Sequence, residues 1–385
     1  MKKVGIMTLH FSINYGAVLQ CMALEKYLTL RGNDVEVIDY VPVYLLDFWK
    51  PWISPLDKCK NRLIYCGKNP IKTACIMIRT FCEALLENKS YFYKKRKYDK
   101  FNRFVEKNIK KTADHFDDIS ELDIKSSNYD VIISGSDQVW NPGFTKGEID
   151  SAYLLDFGKG YVRTTYAASS GISQDEFVKK LAGQIRNIEH ISVREKSLAD
   201  SLNAIDNNLN VRRVIDPTLL FSGREWRKYE NNDVIKNDDY IFVYCLKQHD
   251  EFAQVLDLLK KKLKCRVIDL SPQQVCNAMK DSHNCSDCGP AEFLAYIDHA
   301  KYVITNSFHA TVFSILFEKN FLTIPDKGTG SRMIDLLEDF ELTERIYNKN
   351  CNIEAYLSPV DFRKTKVIQE KLRAEADNYF IESGV

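Results

Sequence analysis

The stretch Lys301–Lys319, KYVITNSFHATVFSILFEK, decides the fold class of this chain. Its apolar run Tyr302–Thr305 predicts a short buried strand. Asn306 and Ser307 follow as turn and helix-capping residues, and the apolar side chains after them repeat at helical spacing. His309 is therefore expected at the N-terminus of a helix that begins where a buried strand ends.

A strand that leads into a helix is the repeating unit of α/β folds, in which ligands bind beyond the carboxyl ends of the strands. The unpaired N–H groups and the dipole at a helix N-terminus favour an anion there. Two interpretations of His309 follow. It contacts an anionic ligand, or it only helps to cap the helix.

Length and composition limit the classes of protein. A chain of 385 residues is too long for one ordinary core, which predicts two domains. The hydrophobic share of 45% and the charged share of 28% are typical of soluble globular proteins, and the net charge of +1 gives no argument for nucleic acid. No apolar run is long enough to span a bilayer, and MKKVGIMTLHF predicts a first strand rather than a secretory signal. The eleven cysteines are therefore expected as reduced thiols in the cytoplasm.

The start of the chain predicts a βαβ unit. Strand Val4–Met7 precedes a helix at residues 16–31, which Gly32 ends, and a second strand follows at Val35–Ile38. Such a unit indicates a parallel sheet. The loop HFSINYGA between the first strand and the helix has a single glycine, so it lacks the glycine-rich dinucleotide fingerprint.

Further strands and helices alternate in two series. The second series has predicted strands at Tyr240–Tyr244, Cys265–Ile268, Tyr302–Thr305 and Phe321–Ile324. We predict an α/β protein of two Rossmann-like domains in a GT-B-like arrangement: an N-terminal domain at 1–205, a C-terminal domain at 206–358, and a last helix within 359–385 that packs back on the N-terminal domain.

Residues 44–115 interrupt the α/β pattern and predict a helical insertion in the N-terminal domain. Within it, residues 89–111 carry ten Lys and Arg residues, with Lys94–Lys97 at the centre and aromatic residues interleaved. A basic, aromatic helix can lie on an anionic membrane surface. The alternative is a solvated helical face.

Polar residues follow several predicted strands, where a ligand would bind. Asn14, Tyr15 and Gly16 form one such turn, chosen either for binding or for geometry alone. Arg194 follows the strand His190–Val193, and it either binds an anion in the cleft or pairs with Glu195 or a nearby aspartate. The other residues placed on this rim are Ser136, Asp137, Gln138, Trp140, Ser169, Ser331 and Arg332.

Cys285 and Cys288 form a CxxC pair, with Cys276 and His283 upstream. A zinc site would need four ligands at tighter, paired spacing. The spacing therefore favours ordinary thiols, with a metal knuckle as the alternative.

Ordered motifs carry a family resemblance. In chain order they are NYGAVLQ with VEVIDY, ISGSDQVWNP, YAASSG, ISVRE, IDPTLL, TNSFHATVFSI and SRMIDLL. Together, over about residues 1–40 and 127–340, they resemble the polysaccharide pyruvyl transferase family. The resemblance implies a GT-B-like fold without a metal requirement. It also implies an activity that moves the pyruvyl group of phosphoenolpyruvate onto two hydroxyls of a sugar, giving a cyclic ketal and phosphate.

The resemblance also suggests roles. His309 resembles the essential histidine of the family and Arg194 its donor-binding arginine, while Ala310 stands where many relatives have glycine. A histidine titrates near neutrality and suits either proton transfer. Asp137 is the carboxylate best placed to take a sugar proton, and Asp216, before Pro217, is a weaker candidate because such residues often serve only turns.

We therefore predict three groups of site residues. The catalytic residues are His309 and Asp137; the donor-binding residues are Arg194, Ser307, Phe308, Ser331 and Arg332; the acceptor-binding residues are Asn14, Tyr15, Gly16, Ser136, Gln138, Trp140 and Ser169. No metal or cofactor is expected besides the co-substrate phosphoenolpyruvate. The expected acceptor is a galactose or N-acetylhexosamine on a polyprenyl diphosphate. The protein itself is expected in the cytoplasm, in possible contact with the inner surface of the plasma membrane.

Two other functions stay open at this point. One is a GT-B glycosyltransferase that uses a nucleotide sugar, and the other is a non-catalytic protein of capsule assembly. Release of phosphate or of nucleotide separates the two enzymes, and a non-catalytic protein turns over neither donor.

Overall fold

The computed structural model describes residues 1–42, 44–45, 70–126, 128–144, 147–172, 174–247, 250–272, 282–326 and 330–385. The N-terminal half contains a parallel sheet in the order β3-β2-β1-β4-β5. Its strands are β1 (Lys3–Met7), β2 (Asp34–Tyr40), β3 (Lys111–Phe116), β4 (Val131–Ser134) and β5 (Val162–Thr165).

The edge of this sheet continues beyond β5. Strand β6 (Ser192–Val193) joins it through the bridges of Thr164 with His190 and of Ala168 with Val193, and β7 (Arg212–Arg213) pairs with β6. The N-terminal sheet edge thus extends past residue 205 to Arg213. The domain limits proposed from the sequence stay predictions.

The second sheet is also parallel, in the order β10-β9-β8-β11-β12. Its strands are β8 (Tyr240–Tyr244), β9 (Arg266–Asp269), β10 (Ser282–Asn284), β11 (Tyr302–Thr305) and β12 (Phe321–Thr323). Strands β8 and β11 are buried along their whole length, as parallel strands covered on both faces should be.

Helices of the described residues cover both sheets. They are α1 (Tyr15–Leu30), α2 (Pro70–Asn108), α3 (Ile119–Ser126), α4 (Asp175–Gln184), α5 (Lys196–Ile205), α6 (Gly223–Trp226), α7 (Asp250–Leu263), α8 (Pro290–Asp298), α9 (Phe308–Leu316), α10 (Ser331–Asp339) and α11 (Phe362–Glu382). Every residue of α9 is buried, which places the first turn of this helix inside the molecule.

The predicted helical insertion differs from the structure at its end. Strand β3 occupies residues 111–116 and forms the edge of the first sheet, because its pairing with β2 is non-local and leaves no strong local signal. The sequence also suggests two helices in the insertion, about Leu56–Asn88 and Tyr91–Lys111; the break between them is wrong, because α2 runs through residues 88–91. The remainder of the insertion, residues 46–69, lies outside the described residues.

The cationic segment Lys94–Lys97 is largely engaged within the protein. The ammonium of Lys97 lies 4.7 Å from the ring centre of Tyr15, and burial lowers the pKa of Lys97 to about 8. Arg96 pairs with Asp287 at 3.0 Å, and Lys95 pairs with Asp99 at 2.7 Å. Only Lys94 of the four is left as an exposed cation without such a contact among the described residues.

The last helix contacts the N-terminal domain. The Tyr379 hydroxyl donates to the carbonyl of Thr165 at 2.8 Å, and the Phe380 ring stacks on Tyr166 with centres 4.5 Å apart. Helix α11 begins at Phe362 and is capped by Asp361, three residues after Pro359, where the sequence suggests the start of this helix. In the described part of the chain, no helix is both long and apolar enough to cross a bilayer.

Candidate functional site

The first turn of α9 lies beyond the carboxyl end of β11, as the sequence predicts. Ser307 caps the helix, and its hydroxyl accepts a hydrogen bond from the Ala310 N–H at 3.4 Å. His309 is the second residue of the helix and is 8% exposed. Its side chain does not cap the helix; it points to a carboxylate of another segment, Asp216.

Asp216 lies at the centre of the site. Its Oδ2 atom accepts hydrogen bonds from Arg194 Nη1 at 2.8 Å and from Ser136 Oγ at 3.3 Å, and it lies 3.5 Å from His309 Nε2. Its Oδ1 atom accepts from the N–H and the hydroxyl of Thr218, at 2.9 and 2.6 Å. One carboxylate thus joins side chains that are far apart in the sequence.

Asp216 is a buried anion. Burial alone would raise the pKa of its carboxyl, but His309, Arg194 and the hydrogen bond from Thr218 outweigh burial and hold the pKa well below its usual range. Its side chain has no exposed surface. The site therefore contains a fixed negative charge that faces the histidine.

Arg194 is held by two carboxylates and an aromatic ring. Besides Asp216, its Nε contacts Glu195 Oε1 at 3.3 Å, and its guanidinium carbon lies 4.7 Å from the centre of the Phe308 ring. Burial tends to lower the pKa of Arg194, and Glu195, Asp216 and Asp137 raise it further than burial lowers it. Its Nη2 atom is buried without a hydrogen-bond partner in the described structure.

Both interpretations of Arg194 are thus compatible with its geometry. Nη1 and Nε make ion pairs with Asp216 and Glu195, and Nη2 keeps an unused N–H donor pair. The His309 Nε2 atom is likewise buried and without a hydrogen bond within the described residues. Unused buried polar groups are costly unless a ligand or water satisfies them.

A cavity opens beside Arg194. Arg332, which belongs to α10, lines this cavity, and its pKa is lowered by burial and by the positive charge of Arg194. Two guanidinium groups that face one cavity favour an anion between them. The cavity is also lined by Glu195, Arg213, Val214, Ile215, Asp216, Leu219, Phe308, Asp335, Leu336, Asp339, Leu372 and Glu375.

Gly16 contacts the other side of the histidine ring. A β-carbon built at Gly16 would lie closer than 3.0 Å to His309 Nδ1, Cε1 and Cγ. Only glycine leaves room for the imidazole at this position, so Gly16 has a packing role, and its acceptor-binding role stays a prediction. Helix α1 of the N-terminal domain and helix α9 of the C-terminal domain meet at this point.

Asp137 adopts an uncommon backbone conformation, with φ of 72°. Non-glycine residues in this region are rare, and they cluster at functional sites. The Asp137 carbonyl accepts from the N–H groups of Val139 and Ser169, which fixes the turn. Its negative charge acts to raise the pKa of both Arg194 and Arg332, so the carboxylate lies within electrostatic range of the two guanidinium groups.

Several predicted residues serve the framework instead. Trp140 is fully buried, and its indole N–H donates to the Tyr153 carbonyl at 3.1 Å, so its ring cannot contact a sugar. Tyr15 is buried between the domains, stacked on Phe293 with ring centres 4.5 Å apart and bonded through its hydroxyl to the Cys288 carbonyl at 2.7 Å. Both rings pack in the protein interior, because burial of their large apolar area stabilises the fold.

The other predicted acceptor residues have internal partners. The Asn14 Oδ1 atom caps α1 by accepting from the Gly16 N–H at 2.9 Å, although the residue is exposed. Ser169 donates to Glu195 at 2.7 Å, and Gln138 accepts from Asn141 at 2.6 Å. Ser136 is fully buried against Asp216.

Ser331 begins helix α10, and Gly330 is the N-cap without a side-chain hydrogen bond. A serine at this point in the sequence suggests an N-cap, but Ser331 lies inside the helix; its donor-binding role stays a prediction. The orientation of the Ser331 side chain lies outside what the structure describes.

Sequence reasoning gave too little weight to Asp216 and missed its supports. Thr218 lies two residues after Asp216, and this Asp-x-Thr spacing is a recognisable turn signal. Thr8 donates to the Ser136 carbonyl at 3.2 Å and accepts from Gln20 at 2.9 Å, which steadies the turn after β4. The contacts of Thr8 with Ser136 and Gln20 cannot be predicted from the local sequence pattern.

The described residues place metal-type ligands together at Glu230, Asp298 and His299, outside this site. Both oxygens of Asp298 already pair with Arg227, at 2.7 and 2.8 Å, which leaves the group poorly suited to a cation. Cys285 and Cys288 are buried thiols, and burial followed by the neighbouring Cys288 raises the pKa of Cys285. Cys276 lies outside the described residues.

The sequence was also compared with known protein families. The model of the polysaccharide pyruvyl transferase family matches residues 14–327. The chain belongs to this family. The predicted resemblance is confirmed, and with it a transferase of polysaccharide biosynthesis. A comparison with curated proteins finds no match.

Solved structures of similar fold are sugar-nucleotide enzymes. A putative UDP-N-acetylglucosamine 2-epimerase from Listeria monocytogenes has a TM-score of 0.50 at 10% identity, covering 96% of this chain and 90% of its own. UDP-GlcNAc 2-epimerase from Methanocaldococcus jannaschii has a TM-score of 0.49 at 11% identity, covering 97% of this chain and 94% of its own. The heptosyltransferase II of E. coli has a TM-score of 0.38 at 10% identity, covering 98% of this chain and 100% of its own. The predicted two-domain GT-B-like fold of this pyruvyl transferase family member is confirmed.

Proposed function

We propose that this protein moves the pyruvyl group of phosphoenolpyruvate onto two hydroxyls of a sugar, forming a cyclic ketal and releasing phosphate. The observation that supports this most directly is the pair of unused polar atoms, Arg194 Nη2 and His309 Nε2, on either side of Asp216. Arg332 adds a second guanidinium in the adjoining cavity. Such a site suits a donor that carries both a carboxylate and a phosphate.

The chemistry assigns a proton donor and a proton acceptor. His309 protonates the methylene carbon of the donor, which turns the enol carbon into an oxocarbenium-like centre. The first sugar hydroxyl adds to that carbon and loses its proton to Asp137. The bond from the carbon to the phosphate oxygen then breaks, phosphate leaves, and the second hydroxyl closes the ketal and releases its proton.

The negative charges of the donor are balanced in part by fixed positive groups of the protein. Arg194 and Arg332 bind the carboxylate and the phosphate, and the N-terminus of α9 adds its partial positive charge. Ser307 and Phe308 shape this end of the site by capping the helix and by stacking on Arg194. These groups can stabilise the leaving phosphate, and the absence of a metal requirement stays a prediction.

We propose that the acceptor is a galactose or an N-acetylhexosamine of a capsule or exopolysaccharide unit on a polyprenyl diphosphate. Asp137 lies within electrostatic range of Arg194 and Arg332, where it can bind a sugar hydroxyl. The protein would then work at the inner surface of the plasma membrane. The identity of the hydroxyl pair sets the stereochemistry of the ketal.

Donor choice tests the function. Purified protein is incubated with phosphoenolpyruvate and a panel of galactosides and N-acetylhexosaminides, free and lipid-linked, and phosphate release is measured. The same panel with UDP-sugars is monitored for nucleotide release. Phosphate release that depends on the acceptor supports the proposal, whereas nucleotide release would favour a glycosyltransferase and no turnover a non-catalytic protein.

Changing Arg194 to Lys is expected to raise the KM for phosphoenolpyruvate by about tenfold to 100-fold, since a charged hydrogen bond contributes roughly 1.5–3 kcal/mol. Lysine cannot pair with Asp216 and Glu195 and still offer donors to the cavity. The acceptor KM should change little. Initial rates at varied donor and acceptor concentrations measure both.

The matched control is Arg212→Lys, which alters an exposed arginine paired with Glu382. Surface ion pairs contribute little, so its kinetics should equal those of the wild type. If Arg194→Lys keeps the wild-type donor KM, Arg194 is a structural ion-pair residue only.

Membrane contact requires a different set of cations from Lys94–Lys97, because Lys97 lies against Tyr15 and Arg96 pairs with Asp287. Within residues 93–108 of α2, whose side chains are all described, the exposed cations that remain are Lys94, Arg103 and Lys107. Each contributes about 1 kcal/mol of attraction to an anionic leaflet. Changing all three to Glu is expected to abolish pelleting with anionic liposomes at low salt, where wild-type protein pellets.

The control reverses three lysines that are scattered on other elements, Lys180, Lys196 and Lys366, and it makes the same change in net charge. It should pellet like the wild type. Equal pelleting by the α2 variant and the wild type would show that this helix is a solvated face.

A further inference from the structure

We propose that Asp216 is the positioning residue of His309: its carboxylate aims the imidazole into the site and makes donor binding draw a proton onto the ring. This inference rests on the proposed function, in which His309 is the proton donor. It concerns a residue that the reaction chemistry by itself does not call for.

The orientation of the Asp216 carboxylate is set from both domains. Thr218 holds Oδ1 with two hydrogen bonds, and Arg194 and Ser136 hold Oδ2. These four bonds leave one direction of Oδ2 directed at His309 Nε2, 3.5 Å away. That separation exceeds an ordinary hydrogen bond, so a small movement of the ring makes or breaks the contact.

The imidazole has little freedom to move elsewhere. The backbone of Gly16 lies against Nδ1 and Cε1, and Asp216 lies at Nε2. The ring is therefore bounded by Gly16 at one nitrogen and by Asp216 at the other. Residues that hold a ring in this way act on the orientation of the reacting group, which can decide a large part of the rate.

Charge provides the second argument. Asp216 lies 3.5 Å from His309, and Asp216, Glu195 and Asp137 act electrostatically on Arg194, Arg332 or both. These three carboxylates and two guanidinium groups carry a formal net charge of −1 when the histidine is neutral. Arg213, Asp335, Asp339 and Glu375, which line the same cavity, add a formal charge of −2. Phosphoenolpyruvate adds further negative charge, which the two guanidinium groups cannot balance alone.

A proton on His309 reduces this excess of negative charge by one. An opposite charge within about 4–6 Å favours the charged form of a titrating group, and both Asp216 and the bound donor would act in that sense. Donor binding would thus be coupled to uptake of a proton by the ring. The same proton then goes to the methylene carbon of the donor, and the ring regains a proton from solvent before the next turnover.

The test measures proton uptake on binding, without turnover. Phosphoenolpyruvate is titrated into the full-length protein by calorimetry at pH 8, in two buffers of different ionisation enthalpy, and the difference in heat gives the protons taken up. Wild-type protein is expected to take up close to one proton. The variant Asp216→Asn should take up less than half as much and lose at least 30-fold in kcat.

A pH profile separates this role from a purely structural one. Asp216→Asn should shift the pH dependence of kcat toward lower pH, because the imidazolium loses its anionic neighbour. Loss of framework alone would lower kcat at every pH without a shift. The matched control is Asp200→Asn, an exposed carboxylate that pairs with Lys196 outside the cavity; it should keep wild-type uptake.

Several results would overturn the inference. Absence of proton uptake by the wild-type protein between pH 7 and pH 8.5 would do so without any variant, and therefore even if Asp216→Asn does not fold. Wild-type uptake by a folded Asp216→Asn would do so as well. If either result is found while the wild-type protein binds and converts phosphoenolpyruvate, only this inference fails. If the wild-type protein neither binds nor converts phosphoenolpyruvate, the proposed function fails as well.

Discussion

Changing His309 to Ala is expected to lower kcat at least about 100-fold while the protein stays folded, as removal of a general acid–base group typically does. The imidazole lies in the first turn of α9 with Asp216 at its Nε2 atom, and Asp216 lines the cavity together with Arg194 and Arg332, where a donor anion would bind. Alanine is a good helix former, so α9 should persist. The rate of phosphate release and the far-UV circular dichroism measure the two effects.

The control for this variant is His299→Ala. His299 is largely exposed and makes only a long contact of 3.9 Å with Glu230, so its removal should leave kcat unchanged. A His309→Ala protein with the wild-type rate would show that the histidine serves the fold and not the reaction.

Changing Gly16 to Ala is expected to lower kcat by about 100-fold, because displacement of a catalytic group by about 1 Å can cost that much. The added methyl group would overlap the His309 ring, so either the ring or the N-terminus of α1 must shift. The imidazole would then lose its alignment with Asp216. Donor affinity should fall less than kcat, since Arg194 and Arg332 are not touched by the new methyl group.

Gly183→Ala is the matched control, because Gly183 lies in helix α4 with nothing near its β-carbon position. Alanine there should stabilise the helix slightly and leave the kinetics unchanged. Steady-state kinetics and thermal unfolding of both variants are compared. Wild-type kcat in Gly16→Ala would mean that the ring moves without consequence, which would contradict the role of its position.

The residues changed in these two predictions lie where the two domains meet. Gly16 belongs to the N-terminal domain and His309 to the C-terminal domain, and Tyr15 inserts its ring between Phe293 and Lys97 beside them. The turn thus has a role in domain packing, and its acceptor-binding role stays a prediction. A turn of Asn, Tyr and Gly looks the same in sequence whether it binds a ligand or packs against another domain.

Local patterns were sufficient for the elements that carry the site. The apolar run of β11, the cap at Ser307 and the helical spacing after it each depend on residues within a few positions. The same holds for Arg194, which follows β6 directly. The strand β3 was missed because its residues are exposed in part and are held only by pairing with β2.

By itself, the sequence determined two parallel α/β domains, the position of His309 at a helix N-terminus and the family of the chain, because these depend on short-range spacing and ordered motifs. Only the tertiary structure decided that Trp140 is a core residue, that Lys97 is turned inward, and that Asp216 collects Ser136, Arg194 and His309. Those contacts join residues 80 and 22 positions from Asp216 along the chain. Long-range packing and the burial of charge select such partners, and neither quantity is contained in the local pattern of residues.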